Sequence, residues 1–210
     1  MTNKNLLIVF VKNVLLGKVK TRLAASIGDF GAYEVYKELV DITETETARL
    51  SNCDIHIYFS DVVIESKWPE KAKFVQQGND LGEKMENAFA HGFSLGYDKV
   101  VGVGSDLPDL NASIILEGFD ALETADTVFG PSADGGYYLL GMKRLYKEIF
   151  KDIPWSTDTV LSDTLTALSK TERSVNLLTE LNDIDNIEDL KSSSIAYKFT
   201  KYYELSRSNQ

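Results

Sequence analysis

Four cations, Lys12, Lys18, Lys20 and Arg22, fall within FVKNVLLGKVKTRL (10–23) of a chain whose formal net charge is −10. On so acidic a background the cluster reads as an anion site rather than as a solvated charge run. It follows an apolar run, LLIVFV (6–11), and precedes a helical pattern, the place where phosphates dock in proteins of alternating strands and helices. Gly17 lets the backbone approach an anion, Arg22 offers two parallel donors, and Lys12 and Lys20 offer point charges. The spacing is neither that of a Walker A loop nor that of a GxGxxG dinucleotide turn. The loop alone therefore does not name a ligand.

Carboxylates supply the complementary chemistry. VVGVGSDLPDL (100–110) sets Ser105 and Asp106 directly beyond an apolar strand, and Pro108 closes the turn. A hard divalent ion, Mg2+ or Mn2+, held by Asp106 would let an acidic site bind a diphosphate. Asp109 reads equally well as the start of a helix. In GPSADGGYYLLG (130–141), Asp134 is a candidate to hold or deprotonate an acceptor hydroxyl. Gly135 and Gly136 give the backbone freedom beside a ligand. A tight Asp-Gly turn is the competing reading, and the paired glycines favour function. Trp155 in IPWSTDTV (153–160) is either a pocket-lining ring or a core residue. NDIDNIEDL (182–190) offers Asp183, Asp185, Glu188 and Asp189. Asp185 either caps the following helix or reaches the metal from a distant strand end.

Composition narrows the classes. The single cysteine, Cys53, excludes an internal disulfide and a multi-cysteine metal site, and the two histidines, His56 and His91, sit in strand and helix patterns that favour structural roles. The acidic surface excludes duplex nucleic acid as a partner. No apolar stretch is long enough for a membrane span or resembles a cleaved leader, so a soluble, cytoplasmic protein is expected. Oligomeric state is left open.

These residues need a scaffold, and the pattern provides one. Strand signals at 6–11, 54–60, 73–77, 99–104, 127–132 and 137–142 alternate with helical patterns. Those helices run through Gly31–Leu50, from an Asp80/Glu83 capping box to about Tyr97, after Asn111, from Thr157 through Ser169, after Asp185, and through Tyr197–Leu205. The alternation predicts an α/β fold, a mostly parallel sheet with helices on both faces, in one domain over 1–210.

The stretches GKVKTRL (17–23), QGNDLGEKM (77–85), GSDLPDL (104–110), GPSADGGYYLLG (130–141), WST (155–157) and DIDNIEDL (183–190) together resemble one family. It is the group of predicted A-type glycosyltransferases associated with radical-SAM and arsenosugar proteins, similar in pattern to phospholactate guanylyltransferase and more loosely to molybdenum-cofactor guanylyltransferase. The resemblance implies a Rossmann-like nucleotide-diphospho-sugar transferase fold. It implies that Lys20 and Arg22 face donor phosphates, that Asp106 is the metal-binding aspartate with Asp185 as second contact, and that Gly82 and Glu83 lie near the nucleotide. Relatives usually carry prolines in the loop after Lys12, where this chain has Val14 and Leu16.

The expected activity is a metal-dependent transfer from a nucleotide-activated donor to a small acceptor. Glycosyl transfer from a nucleotide-sugar stands slightly ahead. The alternative is nucleotidyl transfer from a nucleoside triphosphate to a phosphorylated acceptor with release of pyrophosphate, which the lysine-rich loop favours. A non-catalytic nucleotide-binding module is the third reading.

Overall fold

The computed structural model describes residues 4–203. Seven strands, β1 (Asn5–Val11), β2 (Asp54–Phe59), β3 (Ala72–Val75), β4 (Lys99–Val103), β5 (Thr127–Pro131), β6 (Tyr137–Met142) and β7 (Val175–Leu177), form one sheet in the order β3-β2-β1-β4-β6-β5-β7. Only β6 runs antiparallel to its neighbours, β4 and β5; the other strands share one direction. The sheet is thus mixed and mostly parallel, and β1, an interior strand between β2 and β4, is buried on both sides as its unbroken apolar run requires.

Alternation along β1 divides the core. Leu7, Val9 and Val11 face one layer, with Val35 and Leu39 of α1 (Thr21–Thr47), Ile115 and Phe119 of α3 (Ala112–Ala121) and Leu190 of α5 (Ile187–Ser192). Leu6 and Ile8 face the other, with Met85 and Phe89 of α2 (Leu81–Ser94) and Leu168 of α4 (Val160–Ser169). His56 and His91 belong to an aromatic group around Phe74, with ring centroids 5.2 and 4.9 Å from it. Among the described residues no helix is long and apolar enough to cross a membrane.

Several boundaries differ from the sequence reading. The span of α1 is two helical segments that meet at a kink at Gly28 (φ 77°, ψ 161°): a short one opening at Thr21, which the sequence reading lacked, and the long one that it read through Gly31. The Asp80 carboxylate caps α2 by accepting from Glu83 N at 2.8 Å, but Glu83 returns to the amide of Asn79 instead of completing the box at Asp80. Thr157 does not cap α4; its hydroxyl donates to the Pro154 carbonyl, and the helix starts three residues later at Val160. Asn186, not Asp185, caps α5, and Asp189 closes a true capping box with it. Strand β7 carries no legible signal, since it is three residues long and lies half-exposed at the sheet edge. The C-terminal pattern forms two short 3-10 turns, Ala196–Lys198 and Thr200–Tyr202, rather than one helix; its end, Glu204 and Leu205, lies outside the described residues.

The parallel strands deliver the loops that matter to one edge: residues 12–20 after β1, 104–111 after β4, 132–136 between β5 and β6, and 178–186 after β7. The first turn of α2 opens on the same edge after β3.

Candidate functional site

The loop after β1 is fastened at both ends. Buried Asn13 donates its side-chain amide to Val62 O at 2.8 Å, and its carbonyl oxygen accepts from Asp61 N at 2.8 Å. The Asn13 amide donates to Ser60 Oγ at 2.9 Å, so this loop is tied to the one after β2. At the far end Lys20 adopts a left-handed conformation (φ 47°, ψ 51°) as the N-cap of α1. It provides no side-chain cap, and no acidic residue stands in the first turn of the helix. The first-turn N–H groups of α1 are therefore left for an anion.

Lys20 is the electrostatic centre. Its ammonium donates to Asp106 Oδ2 at 3.2 Å, with the lysine side chain 9% exposed and that of Asp106 43%. Burial pulls the Lys20 pKa down, but Asp106, Asp183 and Asp185 together outweigh it and hold the ammonium above its ordinary value. Asp183 is raised above the usual carboxylate range, first by burial and then by Asp106, against the opposing pull of Lys20 and of the Ser132 hydroxyl that donates to it at 2.8 Å. Arg22 reaches Asp185 at 2.6 Å in an exposed pair.

The acidic loop is itself positioned precisely. Ile184, fully buried, anchors it, and the Ile184 amide donates to Asp106 O at 3.4 Å. The Asp189 carboxylate accepts from the amides of Asp185 and Asn186, both at 3.0 Å. In an extended segment alternate side chains share a face, so Asp183 and Asp185 flank the buried Ile184 and turn toward Lys20 and Arg22. Among the described residues no cluster of three or more histidine, cysteine or acidic side chains is already convergent on a metal position. The donor set nonetheless suits a hard divalent ion: it is all oxygen, with the Asp106, Asp183 and Asp185 carboxylates all acting on Lys20.

The remaining sequence candidates fall into two places. Asp134 sits on the turn between β5 and β6, accepting from the Gly136 amide at 2.9 Å and adding to the negative field on Asp183. Gly135 has a packing reason to be glycine: φ is 88°, and a methyl group there would sit 1.9 Å from the Asp158 carbonyl oxygen. The indole of Trp155 lies over Gly82, where a methyl group would meet Nε1 at 2.3 Å; the two are thereby joined at the start of α2. Glu83, beside them, holds Asn79 through its carboxylate and lines a cavity of about 380 Å3 with Asp80, Lys147 and Lys151. A second cavity of about 620 Å3 runs past Ile153 and Pro154. Lys20 and Asp106 line neither; they meet in direct contact on the open edge. Lys12 and Lys18 are exposed, without a carboxylate partner among the described residues.

Sequence reasoning did not select Asn13, Tyr36 or Ser132, and it offered Asp183 without giving it a role. The Asp-Ile-Asp alternation was the available signal for Asp183. Tyr36 carried none, because it occupies an ordinary core position of α1; its hydroxyl accepts from Lys12 N at 3.0 Å and pairs with Ser105 Oγ at 2.9 Å.

A central parallel sheet, one reversed strand, and a cation facing carboxylates at the carboxyl edge define an α/β protein of the nucleotide-diphospho-sugar transferase fold. The chain belongs to the family described as "uncharacterized protein conserved in bacteria (DUF2064)", which matches residues 44–157. It is 31% identical to a candidate nucleotide-diphospho-sugar transferase from Desulfovibrio desulfuricans G20, with a TM-score of 0.86 over 99% of this chain and 95% of that one. The same fold occurs in 4-diphosphocytidyl-2C-methyl-D-erythritol synthase from Anaerococcus prevotii DSM 20548 (12% identity, TM-score 0.60, 99% and 100% covered). It occurs also in a cytidylyltransferase from Leptospira borgpetersenii (15% identity, TM-score 0.54, 99% and 95% covered). No curated protein matches the sequence. These likenesses give no support to a link with radical-SAM or arsenosugar proteins or with phospholactate guanylyltransferase.

Proposed function

We propose that the chain is a metal-assisted nucleotidyltransferase, joining a nucleoside triphosphate to a small phosphorylated acceptor and releasing pyrophosphate. The observation that carries this reading is Lys20, buried at the uncapped start of α1 and facing Asp106, Asp183 and Asp185. The cytidylyltransferases that share the fold support it over glycosyl transfer.

In this reading an acceptor oxygen forms a bond to the α-phosphorus while the bond from that phosphorus to the α–β bridging oxygen breaks, its electrons leaving with pyrophosphate. Lys20, Arg22 and the first-turn amides of α1 hold the charge that develops on the leaving group. Lys12 and Lys18 collect the triphosphate from solvent. Asp106, with Asp183 or Asp185, would hold Mg2+ or Mn2+, which when bound neutralises phosphate charge. Asp134 orients the acceptor. Gly82 and Trp155 line the approach to the nucleotide.

Transfer from a nucleotide-sugar is the second reading, favoured by the description of the 31% identical relative. One experiment separates the two. The protein is incubated with Mg2+ or Mn2+, a panel of nucleoside triphosphates and nucleotide-sugars, and a set of sugar and polyol phosphates, and pyrophosphate and nucleoside diphosphate are both measured. Pyrophosphate formed from one triphosphate is the expected result. Nucleoside diphosphate released from a nucleotide-sugar, with no pyrophosphate from any triphosphate, would reverse the assignment.

A further inference from the structure

Tyr36 lies in the core of α1, 4% exposed, yet its hydroxyl touches two loops of the site. The Lys12 amide donates to it at 3.0 Å, and it pairs with Ser105 Oγ at 2.9 Å. Lys12 opens the cationic loop, and Ser105 precedes Asp106 in the loop after β4. One phenol oxygen thus spans the segment that carries Lys20 and the segment that carries its carboxylate partner.

The direction of the first bond follows from what each group is able to give. A backbone N–H only donates, so the phenol oxygen accepts from Lys12. The phenol keeps its proton, because burial first and Asp106 second push its pKa upward. Between the phenol and Ser105 Oγ either hydroxyl can be the donor. Ser105, itself buried, has no other hydrogen-bond partner among the described residues. Two hydroxyl hydrogens share this one contact, so one remains to be given, beside Asp106, at the edge where the phosphates are placed.

We propose that Tyr36 is a positioning residue for the phosphate-bearing ligand. Its hydroxyl clasps the start of the cationic loop to the Ser105–Asp106 turn, fixing their separation and the place of the Ser105 hydroxyl beside the ligand. The ligand part of this inference rests on the nucleotide site proposed above; the clasp itself does not.

Two measurements keep these apart. Amide hydrogen exchange on the ligand-free protein compares the wild type with Tyr36→Phe, which keeps the ring and removes only the hydroxyl. The Lys12 amide is expected to exchange roughly two- to tenfold faster in the variant, the loss of one net hydrogen bond. Unchanged protection overturns the clasp, whatever the ligand assays give. Calorimetric titration with inorganic tripolyphosphate and Mg2+ then reads the phosphate site directly. Tyr36→Phe and Ser105→Ala are each expected to weaken binding by about tenfold, the double variant by little more than either, and Ser105→Thr to retain affinity. A wild type that binds no tripolyphosphate removes the nucleotide site while leaving the exchange result standing. A wild type that binds, with both single variants unchanged, removes the positioning role.

Discussion

Lys20 Nζ and Asp106 Oδ2 meet at 3.2 Å although their partners in sequence lie on different strands, and the lysine is the more deeply buried of the two. The contact joins the loop after β1 to the loop after β4 at the carboxyl edge. Replacing Lys20 with Met should keep the packing of the stem and remove the charge. Stability should fall by about 1–2 kcal/mol, discounted because Asp106 is partly solvated. Because the Lys20 pKa is raised in the folded protein, its contribution is complete below the ordinary lysine pKa and fades only as pH rises through the higher folded value. Denaturant titrations at pH 7 and pH 11 should therefore differ more for the wild type than for Lys20→Met. Equal differences would show that the ion pair is decorative.

Asp183 gives the opposite sign. Its folded pKa is raised, by burial and then by Asp106, so the folded state binds more protons than the unfolded chain, and stability declines as pH rises through that interval. At neutral pH the ionised group costs stability. Asp183→Asn should raise the melting temperature at pH 7, keep the Ser132 contact through its carbonyl oxygen, and lose that advantage at a pH below the ordinary aspartate pKa. The same variant should weaken the thermal shift caused by Mg2+ with nucleotide. A variant no more stable than the wild type at pH 7 would mean that Asp183 is not crowded by Asp106 as described.

The two ends of the acidic segment should separate cleanly. Asn186→Ala removes the cap of α5, whose side chain accepts from Glu188 N at 2.8 Å and Asp189 N at 3.1 Å, and should cost about 1 kcal/mol. Asp185→Ala breaks an exposed pair with Arg22 and removes the weakest of the three carboxylate fields on Lys20; it should cost under about 1 kcal/mol, while reducing divalent-ion-dependent nucleotide binding. Urea denaturation paired with nucleotide titration reads both. If Asp185→Ala is the more destabilising, the roles given to the two residues are interchanged.

What was legible in the sequence follows from which forces act locally. LLIVFV, DIHIYF and KVVGV declare themselves because central parallel strands need apolar residues on both faces, and Asp106 declares itself by following one of them. Contacts made across the fold leave no local trace. The Tyr36 hydroxyl, the Asn13 clamp and the seat of Trp155 on Gly82 each join distant segments, and nothing in their neighbours announces it. Edge strand β7 is held by backbone pairing with β5, so its side chains are free to be exposed and carry no period. The cap reading, one of the two offered for Asp185, lies one residue off because Asp and Asn are near-equal caps; the deciding feature is Ile184, which must be buried and so sets the phase.

The seat of Trp155 on Gly82 makes a last prediction. A methyl group at position 82 would lie 2.3 Å from the indole nitrogen, and the ring cannot sink further because it already packs against the layer containing Met85 and Phe150. Gly82→Ala should therefore displace the ring outward and cost about 1–3 kcal/mol. Trp155 fluorescence, isolated by replacing Trp68 with Phe, should shift to longer wavelength as the ring becomes wetter. Trimming the ring in Gly82→Ala/Trp155→Leu should recover part of the stability, so that the two substitutions are less damaging together than the sum of their separate effects. Because the pair stands at the start of α2, Gly82→Ala should also weaken nucleotide binding more than tripolyphosphate binding. A loss equal for both ligands would place the pair outside the nucleoside end of the site.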